Sequence, residues 1–183
     1  MKMKLLALLV IAALPLMAFD CITDPSKLTI SLKVSPLGAT FLINPGTNTQ
    51  YGGMAPAINP ASLVSSGYTL TGASIYDITV QTTGPEDLGN GSGTVFVAVG
   101  SKSRDTLFTY SGTWTQFNTP QSLLASSAIA LNQSGANDIV AALTSQPPLQ
   151  VTFSAAGTVK TAPSKADDYL TVQVYMQASG HKN

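Results

Sequence analysis

Ile75-Tyr76-Asp77-Ile78-Thr79-Val80 and Thr94-Val95-Phe96-Val97-Ala98-Val99, joined by the turn-rich Gly84-Pro85-Glu86-Asp87-Leu88-Gly89-Asn90-Gly91-Ser92-Gly93, decide the fold class of this chain. In the first run Tyr76, Ile78 and Val80 fall on one face and Asp77, Thr79 and Gln81 on the other, the period of a half-buried strand. The second run is apolar on both faces, as expected of a strand near the centre of a covered sheet. The glycines between them supply positive-φ positions, and Asn90-Gly91 is the strongest turn signal in the loop. The expectation is a central β-hairpin spanning Ile75 to Gly100.

Toward the N-terminus, Leu28 to Val34 alternates without a fault, and Thr40-Phe41-Leu42-Ile43 is a second short strand. Gly46 to Gly67 is rich in Gly, Pro, Asn, Ser and Thr and reads as a long irregular connection, the kind that carries function, with one helical turn near Asn59 to Val64. Tyr68 to Thr71 leads into the first central strand. Toward the C-terminus, Leu107 to Phe117 sets Phe108, Tyr110 and Trp114 in phase if the strand passes through Gly112. Pro120 to Leu124 and Asn137 to Leu143 read as short helices, and Pro147-Pro148 ends the second. Leu149 to Phe153 is a strand broken at Ala156-Gly157. Tyr169 to Gln177 closes the domain with Leu170, Val172, Val174 and Met176 on one face. No internal repeat is present.

About eight strands with few helices and frequent turns predict an all-β, antiparallel β-sandwich of immunoglobulin-like or jelly-roll type with one or two short helices. The sandwich is expected over residues 28–178, followed by a disordered tail at 179–183.

Only 10 % of the 183 residues are charged and the formal net charge is zero. Neutral polar groups must therefore solvate the surface, and the basic patch that nucleic-acid binding requires is missing. At the start, Lys2 and Lys4 precede the apolar run Leu5 to Leu14 and the stretch Pro15-Leu16-Met17-Ala18. This is the three-part pattern of a signal peptide over residues 1–18, too short for a membrane span, with a tether at 19–27. The protein is expected to be exported, to the outer membrane, the periplasm or the exterior.

Cys21, the single cysteine, follows directly and has no internal partner. Its placement resembles the lipidated cysteine of bacterial lipoproteins, a likeness confined to Leu14 to Cys21. It departs from that pattern in that Asp20, not a small residue, precedes the cysteine. Two processing routes stay open: lipidation at Cys21, which would tether the protein to a membrane, or cleavage after Ala18 and simple secretion.

Catalytic chemistry is poorly supplied. The one histidine, His181, is the third residue from the end, so Ser-His, Cys-His and His-metal arrangements each lack a member. No phosphate loop, dinucleotide fingerprint or nucleophile elbow occurs. The expectation is a non-enzymatic protein without a cofactor. Asp77, on a polar strand face, reads as solvated. Glu86, Asp87 and Asn90 offer oxygen ligands but not the spacing of a calcium loop, and a wide turn has the same composition. Asp167-Asp168 reads as a solvated turn. Tyr51, Trp114 and Tyr175 are the candidate contacts for a protein or glycan partner.

The resulting expectation is a cell-envelope or secreted β-sandwich that acts by binding, through the Gly46 to Gly67 connection and the Glu86 to Gly93 loop. Two alternatives stand beside it: a structural subunit of a fibre, coat or surface layer, and a periplasmic carrier of an apolar ligand held between the sheets.

Overall fold

The computed structural model describes residues 29–44, 49–63 and 67–182, so the expected signal peptide, tether and Cys21 lie outside the described residues. Within them the chain forms β1 (Ile30–Lys33), β2 (Leu37–Leu42), β3 (Gln50–Met54), β4 (Tyr68–Thr83), β5 (Asn90–Val99), β6 (Asp105–Thr113), β7 (Gln121–Ser122), β8 (Ile129–Leu131), helix α1 (Gln133–Thr144), β9 (Val151–Val159) and β10 (Tyr169–Lys182). Short 3-10 turns cover Pro60–Leu63 and Trp114–Asn118.

The strands build two antiparallel sheets. In sheet A, β10 pairs with β4 along its whole length, and its other edge takes β2 at one end and β1 at the other; β7 flanks β4. Sheet B runs β3-β9-β5-β6-β8. The chain changes sheet between β2 and β3, β3 and β4, β4 and β5, β6 and β7, β7 and β8, and β9 and β10. This repeated crossing is jelly-roll connectivity, one of the two sandwich types expected.

The two central strands are therefore not a hairpin. Both edges of β4 are taken, by β10 and β7, and β5 lies in the opposite sheet between β9 and β6. Gly84 (φ 144°) and Gly89 (φ 73°) supply the left-handed positions that carry the chain across, while Asn90-Gly91 is absorbed into β5. The hairpin that does form is β5–β6, turned at Gly100 (φ 57°).

Inward-facing residues match the alternation on β10, where Leu170, Val172, Val174 and Met176 are fully buried, and on β5, where Val95 and Val97 are. On β4 the register shifts twice, opposite Tyr175/Met176 and opposite Ser179/Gly180. Tyr175 pairs with Asp77 but Met176 with Ile75, a bulge that skips Tyr76 and turns it outward while Ile78 and Val80 stay in the core. The break expected at Ala156-Gly157 is absent, because β9 pairs with β5 without interruption through both residues. Pro120 to Leu124 holds strand β7 instead of a helix, since Gln121 and Ser122 take the free edge of β4. The expected disordered tail is also overturned: β10 continues to Lys182, with Gly180 paired to Leu70 and His181 to Thr69.

Phe41, Phe108, Phe117, Phe153, Leu107 and Ile139 fill the space between the sheets. Helix α1 closes one end of the sandwich, burying Ala136, Ile139, Ala142 and Leu143 against β4, β5 and β6. It starts earlier than the sequence suggests, capped by Asn132, whose side chain accepts from the Ser134 amide. The other end is closed by the β4–β5 and β9–β10 loops together with the turn Trp114–Asn118.

Candidate functional site

At that second end, Tyr169 pairs with Thr83, so the loop leaving β4 and the loop entering β10 emerge side by side. Glu86 reaches from the first loop to the second. Its carboxylate accepts from the Ser164 amide (2.9 Å) and hydroxyl (2.7 Å) and from the Lys165 amide (3.3 Å). These bonds hold the Glu86 carboxyl below its ordinary range, the Ser164 hydroxyl contributing most. Asp168 is fully buried, accepts one 3.4 Å bond from the Glu86 amide, and gives its own carbonyl to the Ile43 amide at 2.9 Å.

One carboxylate oxygen each from Glu86, Asp167 and Asp168 lies within 4.8 Å of the others. Among the described residues, Asp167 Oδ1 and Asp168 Oδ2 are buried without a donor. Burial pushes the Asp168 carboxyl above the usual range; the bond from Glu86 opposes the shift, and the charges of Glu86 and Asp167 add to it.

The three oxygen ligands read from the sequence thus separate. Glu86 joins the cluster, whereas Asp87 Oδ1 turns back to the Gly89 amide at 3.0 Å and exposed Asn90 gives its carbonyl to the Lys160 amide at 2.9 Å. The partners Glu86 acquires, Asp167 and Asp168, were expected to be solvated; the strand pairing of β4 with β10 encloses them instead. Asp77 is corrected in the same way. Its Oδ1 accepts from the Ser122 hydroxyl (2.7 Å) and the Ile78 amide (2.8 Å), tying β7 to β4.

Two of the three candidate contact aromatics are core residues. Tyr51, 5 % exposed, lies in the midst of β3, inside the stretch expected to be irregular, and crosses over Gly157 of its neighbour β9. Trp114, 2 % exposed, plugs the sandwich end: its amide donates to the Gly89 carbonyl and its carbonyl accepts from Thr82 Oγ1. Tyr175 alone keeps a partly open position, on the outer face of sheet A. It packs on Tyr76 with ring centroids 6.1 Å apart and donates to Gln173 Oε1.

The outer face of sheet B carries a feature the strand-by-strand reading missed. Register aligns Gly52, Ala156, Thr94, Thr109 and Ala130 in one row across all five strands. Beside it runs a second row of Gln50, Thr158, Ser92 and Ser111. Apart from Gln50 on the edge strand, no side chain in either row is longer than threonine, and a shallow groove follows them. Asp105, at one end of β6, is the sole Asp, Glu, Lys or Arg among the described strands of this sheet.

Among the described residues no helix is long and apolar enough to cross a membrane. No protein-family model and no curated protein sequence matches the chain. Solved structures with some likeness to it include a chain of Desmodium yellow mottle tymovirus, 16 % identical with a TM-score of 0.37, covering 85 % of this chain and 89 % of that one. A decameric BFDV capsid protein is 12 % identical with a TM-score of 0.40, over 82 % and 99 %. A chain of Turnip Yellow Mosaic Virus is 11 % identical with a TM-score of 0.39, over 85 % and 96 %. At these identities none of the three carries a site residue over to this chain.

Proposed function

We propose that the protein is a structural subunit that packs against copies of itself in a fibre, coat or layer, and that it is not an enzyme. The observation that supports this reading is the outer face of sheet B, two rows of Gly, Ala, Ser and Thr with Gln50 at the edge and one charged residue in the five strands. When copies meet, every ion on the contact face must lose its water, and charges without an opposite partner across the contact repel. A face of short neutral side chains avoids both costs and lets two sheets approach closely.

The loops first expected to recognise a partner are used by the fold itself. Leu88 is fully buried, Glu86 is bound to Ser164, and β3 with the bridge Ile58–Val151 occupies much of the stretch after Gly46.

The test is light scattering and electron microscopy of the purified chain at low and high ionic strength. Discrete multi-subunit particles that survive high salt are expected, because the contact has few ions to screen. Thr94→Lys with Thr158→Lys should disperse them. A wild-type chain that stays monomeric at every concentration would overturn the reading.

A further inference from the structure

We propose that the end of the sandwich between the β4–β5 and β9–β10 loops binds a hard divalent cation, calcium, through the carboxylates of Glu86, Asp167 and Asp168. Calcium takes oxygen ligands at about 2.3–2.6 Å, so two oxygens on one ion stand up to about 5 Å apart. One oxygen from each of the three carboxylates already fits within 4.8 Å.

The second observation is independent of that clustering. Asp168 is wholly buried, yet among the described residues its Oδ2 has no donor, and Asp167 Oδ1 is buried and unpaired there as well. A buried carboxylate oxygen without a donor is costly, and a cation is the partner that satisfies several at once.

The surroundings hold the acids in place. Ser164 and Lys165 fix Glu86, and the chain at Gly84 passes so close that a Cβ there would stand 2.0 Å from Asp168 Oδ1. Ordinary acidic loops spread their charges; this one is compressed by strand pairing at Thr83–Tyr169. Sequence spacing alone gives no hint of this cluster, since Glu86 and Asp168 are 82 positions apart. The inference does not depend on the assembly reading.

The experiment is calorimetric titration of chelator-treated full chain with calcium chloride, with thermal unfolding in calcium, magnesium and chelator. One calcium per chain and a higher melting temperature in calcium are expected, with magnesium weaker because it demands a tighter octahedron. Asp168→Asn and Asp167→Asn should each lower calcium affinity roughly tenfold or more, while circular dichroism shows the sheets intact. Should Asp168→Asn fail to fold, Asp167→Asn carries the test, because its side chain is only half-buried. No heat and no thermal shift with the wild-type chain at millimolar calcium would overturn the proposal. So would calcium affinity unchanged in the folded variants.

Discussion

The hydroxyls of Tyr51 and Tyr110 converge on Gly93 from two neighbouring directions: a Cβ on that glycine would lie 2.4 Å from the first and 2.8 Å from the second. Tyr51 arrives from β3 over Gly157, and Tyr110 stands opposite Gly93 in the β5–β6 register. The two glycines are the space in which the rings lie. Gly93→Ala should therefore destabilise the fold by about 1–3 kcal/mol through overpacking, read as a lower denaturant midpoint with an unchanged slope. Neither hydroxyl has a hydrogen-bond partner among the described residues, and burial drives the Tyr51 phenol far above its ordinary range. Tyr51→Phe should then raise stability by about 1 kcal/mol, since it removes a desolvated group and keeps the ring. A fall on Tyr51→Phe would show that the hydroxyl is satisfied.

Asp77 anchors β7, the two-residue strand at the edge of sheet A. The Asp77→Ala variant loses the bonds from Ser122 Oγ and the Ile78 amide, which should cost about 1–3 kcal/mol because both donors are left without their acceptor. The loss should be local. Hydrogen exchange should quicken at Leu123, whose amide bonds to the Ile78 carbonyl, while the β10 amides keep their protection. Uniform loss of protection across sheet A would contradict this placement.

The strands that carry the core were legible because their burial follows a local period: Leu170 to Met176 on β10, and Val95 to Val99 on β5. What the sequence could not express was pairing. Ile75 to Gly100 has the composition of a hairpin, yet the choice between pairing β4 with β5 or with β10 depends on a strand some ninety residues further along the chain, a distance set by topology and not by local propensity. The bulge that turns Tyr76 outward is hidden for the same reason, since it exists only relative to Tyr175. The cluster of Glu86 with Asp167 and Asp168 follows from that pairing too. A usable signal was present, in that each acidic pair sits just beyond the end of a long strand. Once those strands are antiparallel neighbours, Glu86 is brought to Asp167 and Asp168, while Asp87 turns back to the Gly89 amide.

Asp168 sets a pH dependence with a definite sign. Its carboxyl is raised in the folded chain, first by burial, so the folded state binds that proton more tightly than the unfolded state does. In chelator, this group's contribution to stability is full below the unfolded carboxylate range, near pH 4, and is lost as pH rises through the higher folded value. Glu86 works the other way, its lowered carboxyl favouring the fold above the ordinary range, but it lies in a solvent-screened position. Asp168→Asn should therefore raise the melting temperature in chelator at neutral pH and flatten its rise on mild acidification. A variant that melts lower at neutral pH, with the acid slope intact, would assign the dependence to other groups.

The leader-like start and Cys21 make a prediction separate from the fold. Intact mass spectrometry of the chain recovered from its producing cells should give a species lacking residues 1–18 or one beginning at a lipid-bearing Cys21. Full-length mass with Met1 retained would remove export from the account.

Gly84 joins the fold and the proposed cation site at one atom. Its φ of 144° is a conformation that other residues rarely adopt, and a Cβ there would stand 2.0 Å from Asp168 Oδ1 and 2.7 Å from its Cα. Gly84→Ala therefore meets two obstacles, backbone strain of about 1–3 kcal/mol and the displacement of Asp168 from its buried position. Because Asp168 also accepts the Ile43 amide through its carbonyl, the shift should reach the end of β2. The expected result is lower stability in chelator together with a calcium response smaller than that of the wild-type chain. Asp168→Asn separates the two effects, since it leaves the backbone path at Gly84 untouched while removing the charge. If Gly84→Ala were to keep both the wild-type melting temperature and the wild-type calcium response, the close packing of Gly84 on Asp168 would not be what shapes this end of the sandwich.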